Sequence, residues 1–196
     1  MRYIFICNGR EDKSHALDEL DRQLVETGLI AEKYITTDIG DATRYVNIFC
    51  DLNPKEEVCF VACGGAGLTN EVMNGLVGRD NKYLGILFLD GTNDFVKVYP
   101  DRSFKSLPAL LEGEMVQVDV IKLNDNYALN CASLGMDAMV CELAQRYAYN
   151  GDKDPYNKGL MNAFLFHRFN KMSITVDGKP LKIKYIQNGQ ISNGKY

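Results

Sequence analysis

The hydrophobic positions of this chain fall into two textures. Up to about residue 114, short apolar runs alternate with stretches whose apolar residues recur every three or four positions. Residues 3–7, 31–37, 58–63 and 83–89 are the short runs, and each reads as a strand. Residues 58–63 are apolar throughout, as a strand buried on both faces should be. Between the runs, Leu17, Leu20 and Leu24 share one face of a helix over 14–27, with Ser14 as its candidate N-cap and Gly28 as its stop. Asp41 opens a second helix, with Ala42, Tyr45, Val46 and Phe49 inward and Pro54 beyond its end. Leu68, Val72 and Leu76 mark a third.

Strand–helix alternation with short connections predicts an open, mostly parallel sheet with helices on both faces. After residue 115 the pattern changes. Residues 115–123 and 127–132 read as strands around Asn124-Asp125-Asn126, and 136–147 as a helix. Residues 174–176 and 181–185 read as a hairpin closed by Asp177-Gly178. The expected fold is therefore α/β. An N-terminal α/β domain over residues 1–115 is followed by a partial β-rich C-terminal domain over 116–196. No linker composition, repeat or low-complexity tract separates them.

Composition narrows the function. With 46% hydrophobic and 24% charged residues the chain is ordinary globular material. A net charge of −4 argues against a nucleic-acid partner. No apolar run is long enough for a transmembrane helix, and the N-terminus turns polar at Asn8, too soon for a secretory signal. Any membrane contact is expected to be peripheral. The six cysteines, Cys7, Cys50, Cys59, Cys63, Cys131 and Cys141, form no Cys-x-x-Cys pair, and His15 and His167 lie far apart. No metal site of protein ligands is expected, and reduced core thiols place the chain in a reducing compartment.

Two turns carry candidate chemistry. Gly64-Gly65-Ala66-Gly67 separates an apolar strand from a helix. Glycines let backbone N–H groups approach an anion closely, and a helix N-terminus adds about half a positive charge. The cluster is either a phosphate cradle or a tight strand–helix turn. It is not a dinucleotide fingerprint, because Asn70 stands where the last glycine belongs, nor a Walker loop, because no Lys follows. Gly91-Thr92-Asn93-Asp94-Phe95 offers a hydroxyl, an amide and a carboxylate; alone it also fits an Asx-rich loop capping a helix.

Together the two turns resemble a known family. Ala62-Cys63-Gly64-Gly65-Ala66-Gly67-Leu68-Thr69-Asn70-Glu71-Val72-Met73-Asn74-Gly75 resembles the Gly-Gly-Asp-Gly-Thr, Asn-Glu-Val, Asn-Gly signature of the diacylglycerol and sphingosine lipid kinases. Gly91-Thr92-Asn93-Asp94-Phe95 resembles that family's second signature. Asn8, the Thr36–Ala42 stretch, Asp119 and the segment from Asn130 to Ala138 resemble further family positions in order. The resemblance implies an ATP-binding α/β domain, a β-rich second domain, and transfer of the γ-phosphoryl group of ATP to a lipid hydroxyl with Mg²⁺. It places Gly64, Gly65, Ala66 and Gly67 against the phosphates. Asn8, Thr36 and Thr92 would hold nucleotide or phosphate. Asn70 and Glu71 would organise the loop, and Asn93 and Asp94 would support the cleft, Asp94 alternatively as a helix cap. The partners implied are ATP, a lipid alcohol such as diacylglycerol, the inner face of a membrane met from the cytoplasm, and a second copy of the chain as a homodimer. The related NAD kinases share a Gly-Gly-Asp-Gly loop, but the Asn-Glu-Val after the loop and the second turn match lipid kinases better.

The sequence also departs from the family. Ala66 stands where the family has Asp, and a methyl group neither ligates nor accepts a proton. Leu68 and Thr69 are swapped relative to the usual order. The second turn is one residue short. The general base of the family is expected beyond Tyr196. The chain is accordingly expected to lack appreciable kinase activity as it stands, either as a fragment of a lipid kinase or as a nucleotide-binding pseudokinase. The apolar, aromatic stretch 160–169 could face lipid, and the expectation here is that it packs the second domain instead. Tyr147, Tyr149 and Tyr156 are expected in ordinary packing.

Overall fold

The computed structural model describes residues 1–9, 14–89, 93–166, 170–183 and 185–193. The described chain divides into two units, residues 1–130 with 193, and residues 131–192.

The first unit is built on a four-stranded parallel sheet. In chain order its elements are β1 (Arg2–Asn8), α1 (Ser14–Thr27), β2 (Glu32–Thr36), α2 (Asp41–Leu52), β3 (Val58–Cys63), α3 (Ala66–Leu76) and β4 (Lys82–Ile86). The strand order is β2-β1-β3-β4, every pair parallel. All of β3 is buried, which accounts for its unbroken apolar sequence. Alternation within β1 sorts the core. Ile4 and Ile6 face one side with Val46, Phe60 and Val72, while Phe5 and Cys7 face the other with Leu20, Val61 and Leu107. Helices therefore cover both faces, as the alternating pattern predicts.

Some boundaries differ. The 83–89 run pairs only over Lys82–Ile86, although Leu87 N–H still donates to Ala62 O at 3.0 Å. A short 3₁₀ turn, Asp94–Val98, and α4 (Leu107–Leu111) follow. Of the expected strand 115–123 only β5 (Ile121–Leu123) pairs, with β6 (Asn126–Ala128). Asn124 sits at φ 53° in the turn between them. The Ser14 side chain lies outside the described residues; Gly28 ends α1 at φ 64°, as expected of a left-handed stop.

The second unit contains β7 (Cys131–Gly135), α5 (Met136–Tyr149), α6 (Pro155–Phe166), β8 (Asn170–Lys171), β9 (Thr175–Val176), β10 (Lys179–Pro180), β11 (Tyr185–Ile186) and β12 (Asn188–Ser192). All its strand pairs are antiparallel: β12 with β7, β11 with β8, and β10 with β9. Asp177-Gly178 does close a hairpin, with φ 49° and 75°. The strand it feeds is Lys179–Pro180, ahead of the expected 181–185 run, and Tyr185 pairs with Lys171 instead.

Helix α6 packs on α5 through small residues. A Cβ at Gly159 would lie 2.9 Å from both Ala144 N and Val140 O, so only glycine permits this crossing. Gly159 and Ala163 are the residues α6 buries. Its large apolar residues point outward: Met161 is 59% exposed, Phe164 74% and Leu165 63%. This overturns the expectation that the stretch packs the second domain. The small residues already supply the packing face, and nothing in the described structure covers the opposite one. Residues 167–169 lie outside the described residues.

Candidate functional site

The chain runs from β1 outward to β2, then returns past β1 to β3. Connections at the carboxyl ends of β1 and β3 thus leave on opposite faces, and such a switch point is where open α/β sheets bind ligands. Register puts Asn8 beside Thr36 across β1 and β2, and Cys7 beside Cys63 across β1 and β3. Three segments singled out from sequence, Asn8, Thr36 and the Gly64 turn, are therefore neighbours at one end of the sheet.

The glycine turn is built from the end of a fully buried strand. Gly64 is buried, whereas Ala66 and Gly67 are exposed. Gly65 is the N-cap of α3 in extended conformation and brings no side chain to the helix end. Thr69 N–H donates to Gly65 O at 3.1 Å as the first helical bond. The N–H groups of Ala66, Gly67 and Leu68 consequently have no acceptor within the helix. A Cβ on Gly67 would meet nothing within 4 Å. The turn is an exposed helix N-terminus, of the kind that attracts anions.

At the neighbouring strand end, Gly9 is dictated by close approach, since a Cβ there would lie 2.4 Å from Thr36 O. The Thr36 hydroxyl donates to Cys7 O at 3.2 Å and so ties β2 to β1. Asp41 holds the following loop. Its carboxylate accepts from Thr37 N–H at 2.8 Å, from the Thr37 hydroxyl at 3.2 Å and from Tyr34 OH at 3.1 Å. The Thr37 backbone bond leads in holding the Asp41 carboxyl below its ordinary range. Burial pushes the Cys63 thiol up, and its contact with Cys7 adds to this.

Asn70, Glu71 and Asn93 are bonded to polypeptide, Glu71 through its backbone. Asn70 Oδ1 accepts from Leu129 N–H at 3.3 Å. The Glu71 carbonyl accepts from the Thr43 hydroxyl at 2.8 Å, joining α3 to α2. Asn93 is buried; its Nδ2 donates to Thr69 Oγ1 at 3.1 Å, and its Oδ1 accepts from Phe95 N–H at 3.2 Å. Asn93, rather than Asp94, caps the 3₁₀ turn, and Asp94 instead pairs with Lys97 at the surface. The displaced hydroxyl of Thr69 thus tethers the second turn to the first. Gly91 and Thr92 lie outside the described residues.

Sequence reasoning missed Asn74. Its side-chain amide donates to Tyr127 O at 2.9 Å and accepts from Tyr127 N–H at 2.8 Å, gripping β6 as a neighbouring strand would. The available signal was the i, i+4 spacing of Asn70 and Asn74, which puts both amides on one face of α3. Gly75 is fixed by packing: a Cβ there would lie 2.7 Å from Val46 Cβ.

The diacylglycerol kinase catalytic domain family matches residues 2–123. The chain belongs to this family. A diacylglycerol kinase of Staphylococcus saprophyticus is 31% identical over 131 residues, which are 65% of this chain and 42% of that protein. A Staphylococcus aureus diacylglycerol kinase (strain bovine RF122 / ET3-1) is 30% identical over 131 residues, 65% of this chain and 41% of that one. The chain spans less than half the length of these curated relatives. A crystal structure of a diacylglycerol kinase from Bacillus anthracis str. Sterne superposes with a TM-score of 0.65 at 20% identity, covering 100% of this chain and 66% of that one, and shares its fold. Within the family frame, Ala66 is the first residue of α3, exposed beside N–H groups that have no acceptor within the helix. Among the described residues no group of three or more His, Cys, Asp or Glu is placed to hold a metal ion.

Proposed function

We propose that the chain binds the phosphates of ATP at the α3 N-terminus, as the nucleotide side of a lipid kinase whose acceptor is a lipid alcohol such as diacylglycerol. One observation carries the reading: the N–H groups of Ala66, Gly67 and Leu68, which have no acceptor within α3, lie at the exposed start of that helix, after the strand that flanks the β1/β3 switch point. Membership of the diacylglycerol kinase catalytic domain family supports it. Asn8 and Thr36 stand side by side at the neighbouring strand ends, which supports the same reading. In this reading Asn70, Glu71 and Asn93 act by fixing the protein around the turn, and Gly64 to Gly67 act on the nucleotide.

The residues fit a phosphate group. Among the described residues no carboxylate set is placed for Mg²⁺, and in this reading a Mg²⁺ ion would arrive with the phosphates and its own water. Phosphoryl transfer needs positioning and charge neutralisation together, and Ala66 supplies neither a carboxylate nor a hydroxyl. The chain therefore binds nucleotide without appreciable turnover.

The experiment is calorimetric titration of ATP into the native chain and into Gly67→Val. Because a Cβ at Gly67 meets nothing, the variant is expected to keep its fold, within about 1 kcal/mol of the native stability. Its nucleotide affinity is expected to fall at least tenfold. Equal affinity in the two proteins would remove the turn from the site.

A further inference from the structure

We infer that Thr69 is a positioning residue of the glycine turn: its hydroxyl, held by Asn93, fixes the Gly65–Ala66 peptide so that the Ala66 N–H is set for an incoming phosphoryl group. This rests on the phosphate reading and adds to it the group that orients the turn. A chain of hydrogen bonds leads there. Asn93 Nδ2 donates to Thr69 Oγ1 at 3.1 Å, and the Thr69 hydroxyl donates onward to Gly65 O at 3.1 Å. One hydroxyl can do both, because it carries a proton and two lone pairs. Asn93 Oδ1 accepts from Phe95 N–H at 3.2 Å, which anchors the amide in the second turn. Thr69 is 1% exposed and Asn93 3%, so water does not compete for these bonds.

The carbonyl at the end of this chain belongs to the peptide whose nitrogen is that of Ala66. Like the other peptides among the described residues it is trans, so its C=O and N–H point in opposite directions. Its oxygen is drawn to Thr69 twice, by the hydroxyl and by Thr69 N–H at 3.1 Å. The Ala66 N–H is therefore directed away from buried Thr69, at a residue that is exposed. Gly65 brings no side chain to restrain this peptide, and α3 has no side-chain cap bond. The second bond to the carbonyl removes that freedom before an anion arrives, which lowers the ordering cost of binding. A threonine that bonds the carbonyl four residues back is common in helices and by itself only structural. Here an amide 24 residues away also commits its N–H to that hydroxyl, joining the two turns.

Calorimetric titration of ATP and of inorganic tripolyphosphate into the native chain, Thr69→Val, Thr69→Ser and Asn93→Ala tests it. Thr69→Val keeps the shape and removes the hydroxyl, and its affinity for both ligands is expected to fall roughly tenfold. Thr69→Ser, which keeps the hydroxyl, is expected to stay within about threefold of the native chain. Asn93→Ala frees the hydroxyl from the second turn and is expected to lose roughly threefold or more. In two-dimensional NMR at saturating tripolyphosphate, the Ala66 amide proton should move downfield in the native chain and in Thr69→Ser, and by less in Thr69→Val. At saturation that shift follows the geometry of the bond and not the stability of the fold. Native affinity and a native Ala66 shift in Thr69→Val would overturn the inference and leave the phosphate reading standing. So would a loss in Thr69→Val that Thr69→Ser shares in full. Should Thr69→Val not fold, unchanged affinity in Asn93→Ala would have the same force. A native chain that binds neither ligand would remove the phosphate reading and this inference together.

Discussion

Asp41 is one acid whose charge the first unit uses structurally. Its carboxylate is buried, closes the loop after β2 and satisfies Thr37 N–H. Removing it by Asp41→Ala leaves that donor unpaired and is expected to cost about 1–3 kcal/mol at pH 7 in urea unfolding. The folded carboxyl titrates below its ordinary range, chiefly because of the Thr37 bond. The contribution is therefore full above the unfolded value near pH 4 and is lost as pH falls through the lower folded one. The native chain and Asp41→Ala should differ less at pH 3 than at pH 7. The cysteines divide as cleanly. Cys131 and Cys141 are exposed, while Cys7, Cys50, Cys59 and Cys63 are buried, with the Cys59 thiol pushed up to about 12 by burial. A thiol reagent at neutral pH should modify two groups in the native chain and six after unfolding. Burial of four thiols was legible, because they lie in or beside apolar runs. The exposure of Cys131 and Cys141 was not, since β7 and α5 bury few of their side chains and neighbouring apolar residues give no sign of that.

At the scale of the element, α3 serves a different purpose at each stage of its length. Its start offers N–H groups, its middle holds the β5–β6 hairpin, and its end presses on α2. Asn74→Ala would strand the Tyr127 N–H and is expected to cost about 1–3 kcal/mol, with the loss seen first in the hairpin. Gly75→Ala would drive a methyl into Val46, a β-branched side chain with little freedom to move, and is expected to cost about 1–3 kcal/mol by thermal melts. The elements most legible in sequence were those with one clear period or none: β1, β3, and helices α1 to α3. Helix α6 was illegible because its apolar residues lie on both sides, which blurs a period of 3.6. The run 115–123 was over-extended as a strand because apolar alternation says nothing about whether a partner strand exists.

On the scale of the molecule, the change of pattern near residue 115 corresponds to a change of pairing. Every strand pair before it is parallel and every pair after it antiparallel. The glycine turn and its place beyond a buried strand were legible, because a residue without a side chain advertises close approach. The inward use of Asn70, Asn74 and Asn93 was not, because an amide in a motif does not reveal whether it binds a ligand or the chain itself. In the kinase reading, the native chain with Mg²⁺, ATP and dispersed diacylglycerol is expected to release no phosphorylated lipid above background, while still binding nucleotide. A measurable rate would show that a carboxylate at position 66 is dispensable.

The grip of Asn74 on Tyr127 has a kinetic consequence. The Tyr127 amide hydrogen points away from β5 and into a helix side chain, so its escape to solvent requires α3 to let go. In native-state hydrogen exchange, Tyr127 and Leu129 should therefore open with α3, at a higher free energy than the rest of their short hairpin. Anything that stiffens the start of α3, an anion included, should slow exchange at these two remote amides. They would then report on the glycine turn from a part of the chain that never touches the ligand.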